Sequence, residues 1–418
     1  MEMDLDKMGS LNDWDNLDEI LDKVNFEDFS ERINKELKKM HPLNIINIGK
    51  AGVGKSTIIN AVFGKELAKT GKGETITKHC EAYSIPDSPI KIYDSKGLET
   101  GGETNTAILD ELYNKIKQQN STANTKEYIH ICWYCVLDDG NRLDENEVEI
   151  ITKIRETIPV IIVLTQSIGG TQTNEFVAKI KSMFNNIAID IIPVMALPKK
   201  EESEFGVTNI KSHGLDKLVE KSSELLPASV SRTFDAYQNV NFEIKKRSAF
   251  TACTLYSGAV AAAAFQPFPI ADAPIMVGIQ VGMMANITAC FGIKPSNLNF
   301  KAILSGLGGP FAAAVVGRTL VSLIKLIPGI GTLVGGTINA TTGATITFAI
   351  GSIYINVLSS VVKNNREINE AEIMEELKRA AENVNMDEME KAWEKNKNSY
   401  SESEAKLIFE EAKKEIKK

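Results

Sequence analysis

Residues 45–64 read IINIGKAGVGKSTIINAVFG: β-branched residues, a glycine-rich turn and a helix-forming stretch in immediate succession. Gly49, Gly54, Lys55 and Ser56 satisfy the spacing G-x-x-x-x-G-K-[ST]. In that spacing successive backbone N–H groups, here from Gly49 through Lys50, Ala51, Gly52, Val53 and Gly54 to Thr57, turn inward onto phosphate oxygens. Lys55 then reaches the β- and γ-phosphates, and Ser56 offers its hydroxyl to Mg²⁺. Glycines are required because the chain must approach the anion closely, through backbone angles that a Cβ obstructs. A helix beginning near Ser56 adds the positive end of its dipole. Strand, loop and helix of this kind commit the chain to an α/β sheet.

The residues downstream agree. Strands are expected at Cys80–Ile85, Pro89–Asp94, Tyr128–Leu137, Pro159–Thr165 and Asp190–Val194, with helical periodicity near Ile108–Ile116, Glu145–Ile154, Glu175–Met183 and Leu215–Leu226. That alternation describes a doubly wound sheet, whose ligands sit at the carboxyl ends of the strands. IKIYDSKGLE (residues 90–99) ends one such strand with Asp94-Ser95-Lys96-Gly97. Asp94 can hold Mg²⁺, usually through a water, and the Gly97 N–H can sense a γ-phosphate. Between the phosphate loop and Asp94 lies the polar segment GKGETITKHC (residues 71–80), read as a loop. Thr75 or Thr77, with Thr77 favoured, closes on the metal there as a switch.

Composition narrows the partners. A net charge of −8, with no basic stripe interleaved with aromatics, argues against nucleic acid. Five cysteines follow no disulfide spacing, which points to a reducing interior. Cys132 and Cys135 form a C-x-x-C, but in a buried strand an offset of three puts them on opposite faces. No cleavable signal is expected in the first 40 residues, where 12 acidic and 6 basic side chains describe an acidic amphipathic helical region instead.

Together, the phosphate loop, the switch threonine, the D-x-x-G after a strand and the WYC and VIIVLTQ strands resemble the Era-like and septin-like GTPases of the TRAFAC class, including the immunity-related GTPases, over residues 42–228. The resemblance implies GTP and GDP with Mg²⁺ as ligands, Ser56, Thr77 and Asp94 at the metal, and Thr77 and Gly97 in the catalytic response. It also implies that Ala196, in PVMAL (residues 193–197), contacts the base. Two positions depart from the family. Its base-reading [NT]-K-x-D appears here as Thr165-Gln166-Ser167-Ile168, without the carboxylate. Thr165 and Gln166 keep their places beside the nucleotide, Ser167 or Gln172 is left to meet the base, and ATP is the alternative ligand. Leu98 stands where some relatives carry the glutamine that orients the attacking water, so a lone chain should turn over slowly. Arg142 is a candidate trans-acting cation, with pairing to Asp138 or Asp144 as its plainer role.

Residues 248–362 carry only five charged side chains, Asp272, Lys294, Lys301, Arg318 and Lys325, too few for an ordinary solvated helical surface. Ala273–Ile293 and Leu326–Val362 are uncharged and long enough to span a bilayer, and Gly278/Gly282 and Gly331/Gly335 have the spacing that lets helices approach closely. FQPFPIADAPIMVGIQVGMM and IKLIPGIGTLVGG resemble a hydrophobic helical domain that follows such GTPase domains in many bacterial proteins. The expected organisation is an acidic helical region (1–41), the GTPase domain (42–228), an all-α hydrophobic domain (229–365) and charged amphipathic helices (366–418). Membrane association through 248–362, homo-oligomerisation on GTP binding and a place in the cytoplasm or on the cytoplasmic face of a membrane follow as expectations. A soluble bundle that docks a protein partner is the alternative.

Overall fold

A computed structural model describes residues 29–64, 74–77, 80–95, 103–185, 188–203, 206–263, 273–294, 340–363, 376, 379–380 and 382–416. Their contacts divide the chain into two units, one of residues 40–241 and one that joins residues before Met40 to those after Asn241.

In the first unit β1 (Leu43–Gly49) leads through the glycine-rich turn into α2 (Lys55–Phe63); α1 (Phe29–Lys38) belongs to the second unit. There follow β2 (Glu74–Thr77), β3 (Cys80–Ser84), β4 (Ile90–Ser95), α3 (Glu103–Asn120), β5 (Ile131–Leu137), α4 (Glu145–Arg155), β6 (Val160–Thr165), α5 (Gly170–Met183) and β7 (Asp190–Val194). The seven strands lie in the order β2-β3-β4-β1-β5-β6-β7. From β4 to β7 all pairings are parallel, whereas β2, β3 and β4 form an antiparallel edge. β1 and β6 are buried along their whole length because helices cover both faces, which is why LNIINIG and VIIVLT read as unbroken apolar runs rather than alternations. The loop after β1 opens where the chain leaves for opposite sides of the sheet, the crevice in which open α/β sheets bind ligands.

Two local readings are corrected, and one element is new. Residues 74–77, expected within a loop, form the edge strand β2, pairing with β3 through Thr77 opposite Cys80. A separate hairpin, β8 (Lys199–Ser203) and β9 (Gly206–Ile210), follows β7; the charged sequence of β8 gave no apolar alternation to mark it. The boundary expected at residue 228 falls at Asn241, because α7 (Ala228–Tyr237), after α6 (Leu215–Leu225), belongs to this unit. Phe234 of α7 meets Phe63 and Trp133 edge-on at centroid distances of 6.1 and 6.3 Å, and the Trp133 indole N–H donates to Ser222 Oγ at 3.0 Å.

The second unit contains α1 (Phe29–Lys38), α8 (Phe242–Ala263), α9 (Ala273–Cys290), α10 (Ala340–Lys363), α11 (Met386–Asn396) and α12 (Glu402–Ile416). α8 packs against α9, α10 and α12, and α1 against α9. Polar side chains within the apolar helices pair across them: Gln280 donates to Thr347 Oγ1 (3.2 Å), Thr288 and Tyr354 share a hydrogen bond (2.8 Å), and Asn286 donates to Glu36 Oε2 (2.6 Å). Residues 342–363 of α10, mean hydropathy 1.7, are long and apolar enough to cross a membrane, yet 83% of the apolar window is buried inside the unit.

Candidate functional site

The phosphate loop takes its shape from glycine. Gly52 (φ +76°) and Gly54 (φ +100°) occupy left-handed backbone, and a Cβ on Gly49 would overlap the Cys135 carbonyl oxygen. The loop closes around Lys55, which is buried and donates to the carbonyls of Gly49 (2.8 Å) and Lys50 (3.0 Å). Burial pulls the Lys55 ammonium below its ordinary pKa, against the attraction of Asp94. A cation held this way is oriented and incompletely compensated, which suits a polyphosphate.

Asp94, near the end of β4, sits in register with Asn47 of β1. Burial raises its carboxyl to about 6, Lys55 pulling the other way, and Asp94 Oδ1 is a buried oxygen without a hydrogen-bond partner. An unpartnered buried carboxylate oxygen costs stability unless a cation or ordered water satisfies it. Ser56, half-buried in the first turn of α2, supplies a hydroxyl on the same loop. Among the described residues no three His, Cys, Asp or Glu side chains are grouped to hold a metal. A magnesium ion here would therefore rely on hydroxyls, phosphate oxygens and water beside Asp94, the donor set that this hard cation favours. The residues present fit it.

Thr165, at the end of β6, ties the far side of the loop. Its hydroxyl donates to the Val53 carbonyl and lies 3.2 Å from the Val136 carbonyl. Thr165→Val keeps the shape and removes the donor, leaving a buried phosphate-loop carbonyl unsatisfied. Nucleotide affinity should fall about tenfold, the usual cost of one such lost bond; titration with a fluorescent diphosphate checks this.

Gln166 is exposed at φ +54°, and Ile168 follows with 53% of its surface free. Ser167 is fully buried and committed: its N–H donates to Val194 O (3.1 Å), its carbonyl meets His213 Nε2 (3.0 Å), and its hydroxyl contacts Thr173 Oγ1 and accepts from Gly169 N–H, both at 3.3 Å. Of the two residues expected to meet the base, Ser167 thus has its polar atoms engaged inside the fold, while Gln172 is exposed. Ala196 is half-buried in the loop after β7. That loop is anchored by two 3.0 Å hydrogen bonds between Met195 and His213, a support that no local sequence signal revealed.

A second, partly buried network ties the loop to α4 through Lys50. Lys50 Nζ lies 3.0 Å from both Asp144 Oδ2 and Glu147 Oε2, and Tyr134 OH donates to Glu147 Oε1 at 2.9 Å. Burial pulls the Lys50 ammonium down, but the two carboxylates more than offset it and raise its pKa. Arg142 pairs with Asp144 at 2.7 Å, its plainer expected role. Cys132 and Cys135 are buried thiols, and burial raises the pKa of both, to about 12 for Cys135, which disfavours thiolate chemistry. Thr77 is placed by its backbone at the end of β2, while His79, Gly97 and Leu98 lie outside the described residues.

Residues 44–166 match the family model described as 50S ribosome-binding GTPase. They form a P-loop GTPase domain. Cell division control protein 10 of Candida albicans is 24% identical to the chain over 217 residues, covering 45% of this chain and 60% of that protein. Septin-9 of Rattus norvegicus is 24% identical over 232 residues, covering 49% and 38% respectively. The match thus spans less than two thirds of either relative. Among solved structures, Toc33 of Arabidopsis thaliana (16% identity, 49% of this chain, 91% of that chain) and Era of Aquifex aeolicus (15%, 53% and 68%) align at TM-scores of 0.31 and 0.30.

Proposed function

We propose that the protein binds GTP with Mg²⁺ and hydrolyses it to GDP and phosphate, using the nucleotide state to switch its helical unit. The observation that carries this reading is an oriented, buried Lys55 in the phosphate loop together with Asp94, whose charge attracts that ammonium and whose Oδ1 is buried without a hydrogen-bond partner. Lys55 and the loop N–H groups bind the β- and γ-phosphates; Ser56, Thr77 and Asp94 would hold the metal, whose charge would offset that of the phosphates; and the Gly97 N–H senses the γ-phosphate. Gln166 covers the base and Ala196 contacts it. Leu98 cannot orient water, so homo-oligomerisation supplies the missing group. Because α10 spends its apolar surface inside the unit, membrane association requires those helices to part, and the protein works in the cytoplasm or at the cytoplasmic face of a membrane.

The test measures phosphate release from GTP across a range of protein concentrations, with and without anionic liposomes, and liposome flotation in each nucleotide state. Dilute protein should turn over on the order of 10⁻³ s⁻¹ or more slowly, as unassisted GTPases do. Specific activity should then rise with concentration or lipid. A fast rate independent of concentration would refute assembly, and protein that never floats would refute the membrane step.

A further inference from the structure

Thr165 lies against the phosphate loop, with its Cβ 3.8 Å from the position that a Cβ on Gly54 would take. β6 and β7 pair with Thr165 opposite Val194, so Ile168 and Leu197 each stand three residues beyond the same rung of the sheet. These are large hydrophobic side chains left exposed, at 53% and 60%. A planar base leaving the phosphate loop across these strand ends meets an apolar rim.

The polar groups along that rim are largely spent or absent. Residues 165–173 and 194–198 contain no Asp or Glu. Thr165 Oγ1 and every polar atom of Ser167 are engaged, and the nearby Asp138 carboxylate accepts from Thr173 Oγ1. The Ala196 N–H, in contrast, makes no backbone hydrogen bond among the described residues. The rim therefore offers a donor, which suits a 6-oxo group, and no anionic acceptor for a ring N1–H or a 2-amino group.

Resting on the nucleotide reading above, we propose that this site accepts 6-oxopurine nucleotides as a class, with Ile168 the residue that leaves the 2-amino group unread. A site distinguishes two ligands by a polar group only when it holds a partner for that group. GTP and ITP should then bind alike, while the 6-amino group of ATP, facing a donor, is disfavoured.

The experiment displaces a fluorescent GDP from the full chain, in Mg²⁺, with GTP, ITP and ATP. Expected are GTP and ITP affinities within about threefold of each other and ATP at least about tenfold weaker. Ile168→Asp supplies the missing acceptor on an exposed side chain and should raise the preference for GTP over ITP by about tenfold or more. A wild-type preference of that size for GTP over ITP overturns the proposal, and its loss in Gln172→Ala would identify the reader as Gln172. ATP binding as tightly as GTP overturns the 6-oxo assignment. Failure of the unlabelled nucleotides and the fluorescent GDP alike to bind overturns the nucleotide reading itself, a result distinct from binding without the expected selectivity.

Discussion

Lys55→Ala should weaken nucleotide binding roughly 10²–10⁴-fold, because each charge-assisted bond to a phosphate contributes about 1.5–3 kcal/mol and the side chain reaches two phosphates. In the free protein the same ammonium bridges the carbonyls of Gly49 and Lys50, so the substitution also loosens the loop that presents the N–H groups. The sheet beneath does not depend on it: β1 is buried between β4 and β5 whatever stands at position 55. A thermal melt of the variant should therefore show a folded nucleotide unit, which separates loss of binding from loss of structure. A dissociation constant for GTP within threefold of wild type would place the nucleotide elsewhere.

Gly351→Val should break the helical unit and spare the nucleotide site. Gly351 is central in α10, where a Cβ would overlap Cys253 Sγ and stand 3.0 Å from Met283 Sδ, so three helices meet at a position with no room for a methyl group. Overpacking a close-packed core costs about 1–3 kcal/mol, and the β-branched residue recovers only about 0.5 kcal/mol of glycine's low helix propensity. A melting transition assigned to this unit should fall by roughly 1–10 °C for a unit of this size, with the GDP affinity unchanged. If the transition does not move, α8, α9 and α10 do not pack this way in solution, and the bilayer reading of these helices gains.

How much of this was legible beforehand depends on the range of the forces involved. The strand and helix at residues 43–63 were readable because burial on both faces of β1 and the needs of an anion-binding turn are local constraints. Ile168 in place of a carboxylate was readable too, and its meaning grew once Ser167 proved to be committed inward. The edge strand at 74–77 was not readable, since its polar residues join the sheet only through pairing with β3. The fate of α7 depended on Phe234 meeting residues about 100 and 170 positions away in sequence, contacts that local periodicity cannot report. The apolar stretch from 248 to 362 was ambiguous for a different reason: hydropathy measures what a helix excludes, and a protein interior and a lipid tail exclude the same water. Even Gly282, central in the apolar α9, proves to lie near charge, with Arg32 NH1 3.9 Å from where its Cβ would be.

Because α1 packs with helices that follow residue 241, the nucleotide unit is spliced into the middle of its neighbour. During synthesis α1 emerges first and then waits while some 200 further residues are made, roughly 10–40 s at ordinary elongation rates. Throughout that interval Glu36 lacks Asn286, the side chain that later donates to it. The nucleotide unit can meanwhile fold and load. The order of translation thus lets the nucleotide unit exist before the helical unit is complete, and makes α1, the earliest described helix, among the last to find its place.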